Sequence, residues 1–142
     1  MPVKRVLIAS VACACTAVHA VNWVRVAVDG ERGDQISASA DTDTVRVRNG
    51  LRQAWVRYEF DKPPPSDGAP HRTAQLLMHY DCAAEVSTFS RVQTFSEPAA
   101  AGRLLVDRSW PVPTNAADMK PDKPGSLAHQ LLRHVCAAQP RS

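Results

Sequence analysis

The dipeptide Asn49-Gly50 lies between two runs rich in strand-forming residues, Thr42 to Arg48 and Leu51 to Phe60. A two-residue hairpin turn whose twist suits its strands needs positive φ at both central positions, and Asn-Gly meets that need at the lowest steric cost. The turn therefore predicts a hairpin and its register. Arg48 faces Leu51, Val47 faces Arg52, Arg46 faces Gln53, Val45 faces Ala54 and Thr44 faces Trp55. Residues that face each other share one side of a sheet. One side then carries Val45, Val47, Ala54, Val56, Tyr58 and Phe60, with Arg52 near the turn, and is the expected core side. The other carries Arg46, Arg48, Gln53, Trp55, Arg57 and Glu59.

Further strand patterns flank this hairpin. Asn22 to Asp29 is rich in valine and stops at Asp29-Gly30, and Gln35 to Ser39 is a weaker strand. Lys62 to Pro70 carries four prolines and reads as a loop. Thr73 to Tyr80 and Val86 to Phe95 are two longer strands on either side of Asp81-Cys82, and Arg103 to Arg108 is a short one. Residues 111–125 are punctuated by Pro111, Pro113, Pro121 and Pro124. Such a long Pro-rich connection is either functional or mobile, and mobile is the expectation.

Ser126 then suits a helix N-cap, where its hydroxyl accepts from a free backbone N–H. At 100° per residue, Leu127, Ala128, Leu131, Leu132, Val135 and Cys136 fall on one half of the helix. His129, Gln130, Arg133 and His134 fall on the other. Several strands followed by one amphipathic helix predict an α+β fold, an antiparallel sheet of about six strands with the C-terminal helix packed on one face.

The N-terminus reads as a secretory signal peptide over residues 1–20. Lys4 and Arg5 precede an apolar stretch from Val6 to Val18, and cleavage is expected after Ala20. The stretch is too short for an ordinary transmembrane helix. Composition agrees with one folded domain over residues 21–142: the chain has 142 residues, 44% of them hydrophobic and 22% charged. The net charge is +3, from 17 basic and 14 acidic residues. Without Lys4 and Arg5 it becomes +1, so no charge-driven partner such as nucleic acid is expected.

Export sorts the four cysteines. Cys13 and Cys15 lie in the leader, with Ser10 and Ala12 three positions before them. A lipid-attachment motif calls for a larger aliphatic residue there. No lipid anchor is expected, and membrane association would require one. Cys82 and Cys136 remain, an even number in an oxidising compartment, and a disulfide between them is the natural reading. A metal-binding or catalytic thiol is the alternative. Closing so long a loop is worth about 4 kcal/mol by chain entropy.

Leu76-Leu77-Met78-His79-Tyr80-Asp81-Cys82, the strand after it, and Pro124-Gly125-Ser126 with His134-Val135-Cys136 resemble the surface-adhesin protein E family of bacterial secreted proteins. Trp23 to Val26, Gln35 to Ser37 and Ala54 to Tyr58 fit more loosely. The resemblance implies a six-stranded antiparallel sheet with a C-terminal helix tethered to its concave face by a disulfide, often as a dimer. It also implies an adhesin that binds host matrix or serum proteins. No ligand-binding residue carries over from the family, because no adhesive motif matches residue by residue.

Arg46, Arg48, Trp55 and Arg57 on the outer hairpin face form the candidate partner-binding face. Arginine over an indole is a favourable cation–π pair, and both residue types are common at binding hot spots. A solvated sheet face with arginine stems laid over Trp55 is the plainer reading. No catalytic constellation, cofactor motif or metal set is visible. His129 and His134 are five apart, off the i, i+4 spacing of a helical metal pair. His71 and His79 read as surface or structural residues. Asp41-Thr42-Asp43 lacks the remaining ligands and the glycine of a calcium loop. The expected function is non-enzymatic: a secreted protein of the surface or periplasm that binds a protein partner. A structural or assembly role through self-association is the alternative.

Overall fold

The β-rich runs become strands β1 (Trp23–Asp29), β2 (Ile36–Asp41), β3 (Arg46–Arg48), β4 (Leu51–Phe60), β5 (Thr73–Asp81), β6 (Val86–Phe95), β7 (Leu104–Ser109) and β8 (Lys120–Pro121), followed by helix α1 (Leu127–Ala137). This computed structural model describes residues 21–141. The expected leader with Cys13 and Cys15, and the cleavage expected after Ala20, fall outside the described residues. Six strands form one antiparallel sheet in the order β1-β2-β4-β5-β6-β7. The two additional strands are short, β3 on β4 and β8 on β6. The expected α+β architecture is therefore observed, with the sheet extended to eight strands.

Asn49 and Gly50 have φ of 54° and 74°, as the turn demands. The three pairs nearest the turn, Arg48 with Leu51, Val47 with Arg52 and Arg46 with Gln53, are those expected. The hairpin is shorter than expected, because Thr42–Thr44 form a 3-10 helix instead of continuing β3. Thr44 and Val45 therefore do not pair with Trp55 and Ala54. The physical cause is Asp41. Its Oδ1 accepts from the Asp43 N–H at 3.2 Å, and its backbone oxygen accepts from Thr44 Oγ1 at 3.2 Å. Such local bonds compete with a sheet ladder.

Helix α1 packs on β1, β2 and β4. Ser126 caps it, its Oγ accepting from the His129 N–H at 3.2 Å. Leu131, Leu132 and Val135 are buried against Ala38, Ala40, Val45, Ala54, Val56, Met78 and Tyr80. Full burial of each aliphatic side chain is worth about 1.5–3 kcal/mol. Val45, Ala54, Val56 and Tyr58 of the expected core side join the helix core, whereas Phe60 packs edge-on against His71. Val47 stays 55% exposed. It pairs with Arg52, whose guanidinium donates to the Ala138 oxygen at 2.6 Å beyond the helix end. Val47 thus lies where the helix has already stopped.

Cys82 and Cys136 form a disulfide with their Cα atoms 5.7 Å apart. It ties the last turn of α1 to the end of β5. The Pro-rich segment, expected as a mobile connection, is held to the sheet at three places. The Trp110 N–H donates to the Ser90 oxygen at 2.8 Å, Asn49 Nδ2 donates to the Pro113 oxygen at 3.1 Å, and β8 pairs with β6 through Val86 and Ser87.

Candidate functional site

Strand alternation places the outer side chains of β4 on the face opposite α1. Cross-strand register then defines a row that crosses the whole sheet: Arg25, Ser39, Arg57, Gln75, Gln93 and Asp107. A neighbouring row holds Trp55, Leu77, Arg91 and Ser109. In-register neighbours on one face touch, so these rows are the physical surface of the open face.

Two arginine–tryptophan pairs lie on it. The Arg57 guanidinium sits 4.6 Å from the centre of the Trp23 ring, and Arg91 sits 6.0 Å from that of Trp55. Both distances are within cation–π range. The Arg57 side chain is only 14% exposed, and its nearest carboxylate contact is Glu59 at 3.9 Å. Its Nε is buried without a hydrogen-bond partner among the described residues. Arg91 is held by two parallel bonds to Asp107, from Nε at 2.9 Å and Nη2 at 2.8 Å. Gln93 Nε2 adds a third donor to Asp107 at 3.1 Å. These donors, the Arg91 bonds first, hold the Asp107 carboxyl down at about 2.

Of the four residues expected to form one patch, Trp55 and Arg57 share this face but not one contact. Arg57 stacks on Trp23. The arginine over Trp55 is Arg91. Arg46 and Arg48 are exposed near the hairpin turn and take part in no ion pair among the described residues. Arg46 pairs with Gln53, two residues from Trp55, and bridges to Arg141. Arg91 could not be found from the hairpin. Its place depends on the β5–β6 register, which shifts where Leu77 faces Arg91 but Met78 faces Phe89, leaving Ser90 as an extra residue in β6.

That bulge has a second consequence. Ser90 Oγ comes to 2.7 Å from His79 Nε2. His79 is fully buried, and its Nδ1 has no partner among the described residues. Burial first, and the nearby Arg48 charge second, push its imidazole below the ordinary value. It is a buried group bonded to Ser90 across the bulge. Asp41 is also buried, and it accepts from the backbone N–H groups of Asn22 and Asp43. Among the described residues, no group of three His, Cys, Asp or Glu side chains converges to hold a metal ion. No helix among them is long and apolar enough to cross a membrane.

The open face thus offers aromatic surface, arginine donors and a fixed carboxylate on one rigid sheet. No curated protein and no solved structure matches the chain significantly. The family model for surface-adhesin protein E matches residues 23–137, from the first strand to the end of the disulfide-tied helix. With that match over most of its length, the chain belongs to the surface-adhesin protein E family.

Proposed function

We propose that this domain is a non-enzymatic recognition module, exported to the surface of a bacterial cell, that binds host matrix or serum proteins through the sheet face opposite α1. Membership of a surface-adhesin family points to the role. The observation that carries the site is the Trp23–Arg57 and Trp55–Arg91–Asp107 arrangement, two aromatic–cation pairs that each reach across one intervening strand of the sheet. Tryptophan and arginine dominate the energetics of protein interfaces, and ordering them beforehand lowers the entropy cost of binding. The test is adhesion of the purified domain to immobilised matrix and serum proteins, with Trp55→Ala and Arg57→Ala beside the wild type. A loss of binding with an unchanged circular dichroism spectrum supports the reading. Full binding by both variants removes this face from it. Protease treatment of intact cells addresses location: a domain that is digested lies outside, and one fully protected until the outer membrane is opened does not act as an adhesin.

One observation favours a second reading, an envelope protein that associates with itself. Strand β7 ends the sheet with no neighbour beyond it among the described residues, and its Leu104 and Val106 are 47% and 36% exposed. An exposed apolar edge strand is a template for pairing with another copy. Sedimentation of the wild type against a Val106→Lys variant decides this. A dimer that the variant abolishes supports it, and a wild-type monomer at tens of micromolar removes it.

A further inference from the structure

The Pro-rich segment leaves the edge of β6 at Ser90, where Trp110 is bonded, and rejoins it at Ser87, where Lys120 pairs. Between these points the edge at Thr88 and Phe89 has no strand beside it among the described residues. A cleft of about 800 Å³ opens there, lined by Thr88, Phe89, Trp110, the 111–115 stretch, Asp118 and Met119. That volume lies within the range of ordinary ligand sites.

Three properties define what it can hold. Its aromatic wall is the Phe89–Trp110 pair, edge to face at 5.3 Å and 83°. The two side chains are 42% and 45% exposed, so the cleft presents aromatic surface to solvent. Its only charged lining residue is Asp118, which forms no ion pair among the described residues. Among the described residues, no Lys or Arg lines the cleft. Its walls are also set in advance. Pro111 and Pro113 have fixed φ. Asn49 holds Pro113, Asn115 Oδ1 accepts from the Ala117 N–H at 2.9 Å, and the Met119 N–H donates to the Ala116 oxygen at 3.1 Å.

Aromatic surface and a carboxylate that line one cleft, the carboxylate in no ion pair among the described residues, are complementary to an organic cation with an apolar stem. The aromatic groups attract the charge, the stem covers the prolines, and the carboxylate supplies the counter-charge. We infer that this cleft is a receptor for an arginine or lysine side chain of a partner protein. The inference rests on the protein-recognition reading for its source of cation, but it uses a different surface from the tryptophan–arginine face.

The test titrates the ¹⁵N-labelled domain with N-acetyl-arginine methylamide, its neutral citrulline analogue, and choline, reading the Trp110 indole N–H. The expected result is a saturable shift with the arginine compound. Asp118→Asn weakens it at least threefold, and citrulline binds at least threefold more weakly. Asp118 is exposed, so this variant keeps the fold, and a Trp110→Leu variant checked by circular dichroism abolishes binding, read on the Phe89 backbone N–H. Equal binding of citrulline overturns the inference, because the cleft would then be an apolar slot. Tighter binding of choline overturns it in favour of a compact quaternary cation, and no shift at tens of millimolar overturns it outright. These outcomes leave the adhesion assay untouched. A domain that binds the arginine probe but adheres to no protein would sink the recognition reading and, with it, the assignment of the cation to a partner protein, while the cation-binding chemistry of the cleft would stand.

Discussion

Arg91 on β6 grips Asp107 on β7 through two parallel hydrogen bonds of 2.9 and 2.8 Å, one to each carboxylate oxygen. The fork geometry matches the carboxylate and fixes the guanidinium beside Trp55. The clasp therefore joins an edge strand to the open face and orients the arginine that a partner would meet. Its signature is the Asp107 titration, held at about 2. The folded carboxyl titrates below its unfolded value of about 3.9, so the pair's contribution is complete above that value and is lost as pH falls through about 2. Carbon-detected NMR of the side-chain carboxyl checks this. Arg91→Ala, which removes both bonds and the charge, should raise the midpoint, and an unchanged midpoint would show that Arg91 does not set it.

The Cys82–Cys136 bond should carry a large share of the stability. Reduction, or Cys136→Ser with Cys82→Ser, should cost about 3–4 kcal/mol and lower Tm by roughly 10–20 °C for a domain of this size. Thermal melts with and without reductant measure it. A shift under about 3 °C would mean that the packing of α1 holds the helix by itself.

Leu132 and Leu104 are both leucines, yet one is 1% and the other 47% exposed. Leu132→Ala should cost about 3 kcal/mol, since it removes transfer energy and leaves a cavity. Leu104→Ala should stay within about 0.5 kcal/mol in the monomer. Urea denaturation of both variants compares them. Similar costs would mean that Leu104 is covered in solution, as the self-association reading requires.

His79 predicts an acid sensitivity. Its imidazole is pushed below the ordinary value of 6.5, so protonation favours the unfolded chain. Stability from keeping it neutral is present above the unfolded value and falls as the pH drops below about 6.5. The His79→Gln variant, whose amide can still meet Ser90, should show a flatter dependence of urea midpoint on pH between about 7 and 5. Equal slopes would assign the sensitivity to another histidine.

Gly50 at φ 74° tests the hairpin directly. A methyl group placed on its Cα would meet nothing within 4 Å, so Gly50→Ala is strained by its backbone alone. The expected cost is about 1–2 kcal/mol. Urea denaturation against the wild type measures it. A cost near zero would mean that the turn relaxes to another type.

Local chemistry in the sequence determined much of this protein. Asn49-Gly50 set three hairpin pairs, because the turn residues and their strands are neighbours in the chain. The spacing of Leu131, Leu132 and Val135 set the buried side of α1, and Ser126 set its cap. The count of cysteines outside the expected leader picked out Cys82 and Cys136 as partners. Even locally one competing bond was missed: Asp41 turns Thr42–Thr44 into a 3-10 helix and shortens the hairpin. Tertiary structure decided the rest. Which strands beyond the hairpin lie side by side, and in what register, depends on loops and on the bulge at Ser90, which no nearest-neighbour rule fixes. That register brings Arg91 to Trp55, sends Arg57 to Trp23, and seats His79 against Ser90. It also turns the Pro-rich connection, expected as a loose link, into one wall of a cleft. A turn is specified by the few residues within it, whereas a binding face is assembled from strands far apart in the chain, and their alignment is settled only when the whole sheet packs.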